Sequence, residues 1–149
     1  MLALVAERLE KALTRSLSPG ERERLAQALP GLKPRAKTLV ELAEKAFFYV
    51  APRPIQPTPD AAKLLTGEAR QLLGELAADL AEAEWRAASL EQRLRDFTAA
   101  KALKLGAAAQ PLRAALTGSV ASPGIFEVME VLGRDETLAR ITDAAAGGT

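Results

Sequence analysis

Residues 51–59 read Ala-Pro-Arg-Pro-Ile-Gln-Pro-Thr-Pro, with four prolines in nine positions. A proline has no N–H to give a helix or sheet ladder, and it biases the residue before it toward extended backbone. The stretch is therefore extended, polyproline-like and stiff, and no helix can run through it. It divides the 149 residues into a first domain over 1–54 and a second over 55–149. A join between domains is the better reading than a proline-rich ligand for a partner.

On both sides of the join the apolar residues recur with helical spacing. Leu2, Val5, Leu9 and Leu13 mark a helix over about 2–16. Ser18 with Glu21 is a capping box that opens the next, and Pro30-Gly31 is expected to stop it. Leu32 to Lys37 forms a basic turn. Helix three then starts between Pro34 and Thr38, with Leu39, Leu42, Ala43, Ala46, Phe47 and Val50 inward and Phe47-Phe48-Tyr49 packing a helix seam. After the join come a short helix near 60–65 and a longer one opened by Thr66-Gly67-Glu68, with Leu72, Leu73, Leu76 and Leu80 as its stripe. Trp85 is expected to anchor the core. Ser89 to Gln92 forms a second capping box for a helix carrying Leu90, Leu94 and Phe97 to about Leu103, with Gly106 as its stop. The last helix covers about 134–143, with Leu138 and Ile141 inward. There is no strand-period segment and no internal repeat. The fold class is all-α.

Composition excludes several chemistries. The chain has no histidine and no cysteine. That removes the commonest general base, the nucleophile–histidine pairs, histidine and thiolate metal sites, and disulfides. No carboxylate pair stands apart from ordinary helix-surface acids, and there is no glycine-rich phosphate loop. No apolar run approaches membrane-spanning length, and the start Met-Leu-Ala-Leu-Val-Ala lacks the basic residues of a secretory leader. A cytoplasmic protein is expected. Net charge is only +1, but Arg93, Arg95, Lys101, Lys104 and Arg113 face a single acid, Asp96, within 93–113, and Lys33, Arg35 and Lys37 form a smaller cluster. A local basic strip can hold phosphate in a chain that is neutral overall. For any one of these residues a solvated helix face explains the charge equally.

Residues 111–133 are the most constrained part of the second half. Pro111 sits in the first turn of a short helix, and Gly118 is placed to end it in a left-handed residue. Ser122 and Pro123 then suit the N-cap and first position of another helix. Ile125, Val128, Met129 and Leu132 give that helix one apolar face, and Gly133 ends it. The result is a rigid corner between two helices. By spacing alone Ile125 and Phe126 read as core packing, and Ser122 and Pro123 as capping.

The run Lys-Leu-Gly from Lys104, Pro-Leu-Arg ending at Arg113, Ala-Leu-Thr-Gly ending at Gly118, Ser-Pro-Gly from Ser122, Ile-Phe-Glu from Ile125, and Leu-Gly then Arg-Asp from Leu132 resembles the C-terminal end of bacterial glutamyl-tRNA synthetases. These are class I aminoacyl-tRNA synthetases. The resemblance covers essentially the whole chain and is strongest over 104–141. It implies two consecutive helical domains of the class I anticodon-binding type. It also implies that the catalytic domain, with its HIGH-like and KMSKS-like signatures, is absent, so the chain itself is expected to be non-catalytic and a fragment of the synthetase rather than a freestanding relative. ATP and Mg would be used by that absent domain, and the chain needs no cofactor of its own. The expected partner is tRNA(Glu), bound by a monomer, with no DNA or membrane role. A non-discriminating synthetase that also accepts tRNA(Gln), and a helical protein–protein scaffold without RNA, are the alternatives.

Position by position, the resemblance implies that Arg113, Ser122, Pro123, Ile125 and Phe126 contact the anticodon. Arg35 is placed where an arginine reads its third base, and Lys101 and Lys104 are assigned to phosphate. The chemistry suits the task. Anticodon bases are single-stranded and can be splayed, stacked and read on their pairing edges. Phe126 stands roughly 100° from Ile125 around the helix, so it can face a base. Arg113 can make a planar two-point contact that lysine would not reproduce.

Overall fold

The computed structural model describes residues 2–147, the Arg35 side chain excepted. Among the described residues all regular structure is helical. The chain forms two compact units, Met1–Pro52 and Arg53–Thr149.

The first unit is built from α1 (Leu2–Leu13), α2 (Pro19–Leu32), a 3₁₀ turn (Lys33–Arg35), α3 (Leu39–Ala46) and a second 3₁₀ turn (Phe47–Tyr49). Its core holds Val5, Leu9, Leu25, Leu29, Leu32, Leu42 and Tyr49. The capping box at α2 is present: Ser18 Oγ accepts from the Glu21 N–H at 3.1 Å, and Glu21 accepts from the Ser18 N–H at 2.9 Å. Arg15 grips the same carboxylate with two bonds of 2.8 and 2.9 Å. The hydrogen bonds from Arg15, with those from Ser18 beside them, hold the Glu21 carboxyl down at about 2. Thr38 caps α3 by accepting from the Glu41 N–H at 3.1 Å.

Two expectations fail here for physical reasons. Helix α2 does not stop at Pro30-Gly31 but runs on to Leu32. Proline costs the helix one hydrogen bond, yet Leu25, Leu29 and Leu32 stay in register on the buried face only if the helix continues. The aromatic triplet does not fill one seam. The chain tightens after Ala46 into 3₁₀ geometry, where three consecutive residues point in three directions. Tyr49 is buried, Phe48 lies against it with ring centres 4.1 Å apart, and Phe47 is 36% exposed.

The second unit contains α4 (Pro59–Ala62), α5 (Gly67–Leu80), α6 (Ala87–Ala100), α7 (Leu105–Thr117), α8 (Ile125–Leu132) and α9 (Arg134–Ala145). Helix α5 packs on α9, α7 and α6, and α8 closes against α6 and α9. Leu73, Leu76, Leu80, Leu90, Leu94, Leu112, Leu116, Val128, Met129, Leu132 and Ile141 make the core. Thr58 and Thr66 cap α4 and α5.

Helix α6 begins at Ala87, two residues before Ser89, which was expected to open it with a capping box. The first N–H of the helix, from Ala87, is satisfied instead by the Glu130 carboxylate on α8, at 2.7 Å. Helix α6 ends at Ala100, and Gly106 is not its stop but lies in the first turn of α7. The chain reverses at Ala102, which holds φ 56°. The Leu103 N–H bonds Thr98 O at 2.9 Å and the Ala102 N–H bonds Ala99 O at 3.1 Å, the paired bonds of a Schellman end. Helix α7 likewise starts at Leu105, so Pro111 is inside it and buried. Trp85 is half-buried rather than a core anchor. Its Nε1 donates to Met129 O at 2.8 Å, and the Arg134 guanidinium covers its ring at 5.4 Å.

Two predictions follow from these ends. An L-residue in the left-handed region costs about 1–2 kcal/mol, so Ala102→Gly raises the unfolding free energy by about 1 kcal/mol, read by urea titration. The Glu21 carboxyl is depressed in the folded chain, so its contribution is complete above the ordinary carboxylate range and is lost as pH falls toward 2. In Glu21→Gln the thermal midpoint is lower at neutral pH and falls less steeply between about pH 4.5 and 2 than in the parent chain.

Candidate nucleic-acid interface

The corner between α7 and α8 is held from several sides. Gly118 ends α7 with φ 72°, its N–H bonding Ala114 O at 2.9 Å. Its own carbonyl accepts from the Thr58 N–H at 2.8 Å, which lays the proline-rich segment against the corner. A Cβ at Gly118 would stand 2.7 Å from Gln56 O and 3.0 Å from Ile55 Cγ2. Only glycine fits there, for backbone and for space. Two carbonyls further back, Arg140 of α9, 1% exposed, donates through a terminal nitrogen to Leu116 O at 2.8 Å. Its Nε is held by Glu136 at 2.7 Å.

The loop that follows is tied by its hydroxyls. Thr117 Oγ1 donates to Arg113 O at 2.8 Å and accepts from the Ser119 N–H at 3.2 Å. Ser119 Oγ in turn accepts from the Ala121 N–H at 3.2 Å. Between these bonds Val120 is left 44% exposed. Arg113 Nε donates to Ser122 Oγ at 3.0 Å, and Ser122 Oγ donates to Pro123 O at 2.7 Å.

Ser122 is therefore not the N-cap of α8. Gly124 takes that position without a side-chain cap, and Glu127 folds back so that its carboxyl carbon lies 4.0 Å from where Gly124 would carry a Cβ. This acid faces the first turn and opposes a second anion at that helix end. Pro123 is buried, and Ile125 is 3% exposed and joins Val128, Met129 and Leu132 in the core. Phe126, one position on, is only half-buried.

The structure thus brings Arg113 and Ser122 into direct contact and sets Pro123, Ile125 and Phe126 beside them along the chain. Lys101 and Lys104 are elsewhere. Lys104 stands at the start of α7, about 13 Å along the helix from Arg113, and is exposed. Lys101 pairs with Glu75 at 2.6 Å and lies 5.3 Å from the Phe97 ring centre. Arg35 closes the 3₁₀ turn of the first unit, and its side chain lies outside the described residues. Sequence reasoning missed Arg140 and Val120. A buried arginine in an i, i+4 pair with Glu136 looks like any exposed helix pair. One valine in a small polar loop gives no periodic signal.

Among the described residues no group of three or more potential ligands could hold a metal ion, and no helix is long and apolar enough to cross a membrane. The Arg113 guanidinium on α7 and the half-buried Phe126 ring on α8 flank a loop held by its own hydroxyls. The chain belongs to the anticodon binding domain family, whose model matches residues 4–145. It is 54% identical over 149 residues to glutamate–tRNA ligase 2 of Rhodospirillum centenum, covering 99% of this chain and 32% of that protein. It is 54% identical over 126 residues to the glutamate–tRNA ligase of Rhodopseudomonas palustris strain TIE-1, covering 84% of this chain and 27% of that protein. The chain therefore spans about a third or less of the length of these relatives. A crystal structure of a glutamate tRNA ligase from Elizabethkingia meningosepticum shares the fold, with a TM-score of 0.75 at 22% identity over 99% of this chain and 30% of that one. The synthetase from Elizabethkingia anophelis gives 0.72 at 20% identity, over 97% and 28%.

Gly118→Ala is expected to destabilise the chain by at least about 1–2 kcal/mol, because the left-handed conformation and the approach to Gln56 O both oppose a methyl group. Chemical denaturation measures this, and Gly106→Ala, with open space around its Cβ, serves as the neutral comparison.

Proposed function

We propose that this chain is the anticodon-reading part of a glutamate–tRNA ligase and that it recognises tRNA(Glu). The observation that carries the reading is the Arg113 guanidinium, tethered through Nε to Ser122 on a locked loop next to the half-buried Phe126. A guanidinium fork can hydrogen-bond a base edge at two points, and an aromatic face stacks an unpaired base. Pro123 and Ile125 support the loop from the core side. Lys104 meets the phosphate backbone from the far end of α7, with Lys101 beside it once its pairing with Glu75 is exchanged for phosphate. Arg35 contributes from the first unit, and the two units act as two consecutive anticodon-binding domains of a monomeric cytoplasmic enzyme. Glutamate activation, with its ATP and Mg, belongs to the part of the ligase outside this chain.

Binding of the 149-residue chain to tRNA(Glu) tests the reading. Phe126→Ala loses about 1–3 kcal/mol if the ring stacks on a base. Arg113→Ala weakens binding and relaxes base preference, and Arg113→Lys does not restore it. Lys104→Ala lowers the slope of log affinity against log salt by about one while leaving base preference unchanged. If Arg113→Ala and Phe126→Ala both bind and discriminate like the parent, the corner is not the reading surface.

A further inference from the structure

The hydroxyl of Ser122 has one proton, and that proton is in use. Ser122 Oγ donates to Pro123 O at 2.7 Å while accepting the Arg113 Nε–H at 3.0 Å. A base acceptor brought to this hydroxyl would find no free donor. Arg113 is in the opposite condition. Its side chain is held at Nε by Ser122, at 3.0 Å. No hydrogen bond or ion pair among the described residues engages its two terminal nitrogens. A long arginine side chain loses rotamer freedom when it is fixed on a ligand, and fixing it beforehand lowers that loss on binding.

From this we propose that Ser122 is a positioning residue: it does not read a base itself but orients the Arg113 fork toward the RNA. The inference rests on the corner being the RNA-reading surface. It assigns Ser122 a role distinct from direct contact, and it makes the carbonyl of Pro123 the fixed point on which the orientation is built. Threonine can make both bonds with its own hydroxyl. Alanine can make neither.

The test is a double-mutant cycle on the 149-residue chain, with tRNA(Glu) and the same tRNA carrying an altered anticodon. Thermal melts confirm folding of each variant. Ser122→Ala is expected to weaken binding of tRNA(Glu) about 3–10-fold, the effect of one hydrogen bond, and to narrow the discrimination against the altered anticodon by a similar factor. Its salt slope stays that of the parent. The double variant Ser122→Ala/Arg113→Ala binds like Arg113→Ala alone, and Ser122→Thr binds like the parent. In ¹⁵N spectra the free parent shows a protected Arg113 Nε–H that is lost in Ser122→Ala and kept in Ser122→Thr. Losses that add in the double variant would mean that Ser122 touches RNA independently and would overturn the proposal, as would parent-like binding by Ser122→Ala when Arg113→Ala is weak. Parent-like binding by both single variants would overturn the reading of the corner, and the positioning role with it.

Discussion

The second unit depends on how the C-terminal end of α7 is closed. A helix leaves its last carbonyls without partners inside the helix, and here its own cap residue and two distant parts of the chain close that end. Gly118 turns left-handed and returns its N–H to Ala114 O. Arg140 reaches from α9 to Leu116 O, and Thr58 of the proline-rich segment bonds Gly118 O. These bonds join α7, α9 and the segment after Arg53 at one place. The absence of a side chain on Gly118 makes that approach feasible, since Gln56 O occupies the space that a methyl group would need.

With α7 closed in this way, the loop that leaves it has little freedom. Thr117 and Ser119 each spend a hydroxyl on loop backbone, and Ser122 links the loop to Arg113 one helical stretch back. The apolar face of α8 is fully committed to the core through Ile125, Val128, Met129 and Leu132. At the corner Val120 and Glu127 are exposed, while Arg113 and Phe126 are half-buried. A planar cation beside apolar surface is chemistry that can hold an unpaired nucleotide. Membership in the anticodon binding domain family agrees with this character.

Features governed by nearest neighbours were legible in the residues. Ser18 with Glu21, Thr38 and Thr66 open helices and Gly118 ends one, as their local chemistry requires. The same local rules misplaced other boundaries where a distant group intervened. Ser89 lost its capping role because Glu130 of α8 satisfies the Ala87 N–H. Ser122 lost its own because Arg113 and Pro123 O take its hydroxyl. Pro30 and Pro111 did not break their helices because the residues after each are needed in the core, Leu32 in one case and Leu112 and Leu116 in the other. Gly106 was passed over as a stop in favour of Ala102, a residue that local propensity disfavours in a left-handed turn.

By itself the amino-acid order determined the all-helical class, the glycine corner and the absence of histidine and cysteine side chains. Each of these follows from backbone restrictions or side-chain inventory, which act within a few residues. Tertiary structure decided which side chains at the corner are available to a partner. Ile125 and Phe126 are adjacent and both apolar, yet one is sealed against Val128, Met129 and Leu132 while the other keeps part of its ring at the surface. Ser122 and Arg113, nine residues apart, become one hydrogen-bonded unit only when the chain turns at Gly118. Burial and hydrogen-bond partnership depend on what the rest of the fold brings alongside, and periodicity along one segment carries no record of that.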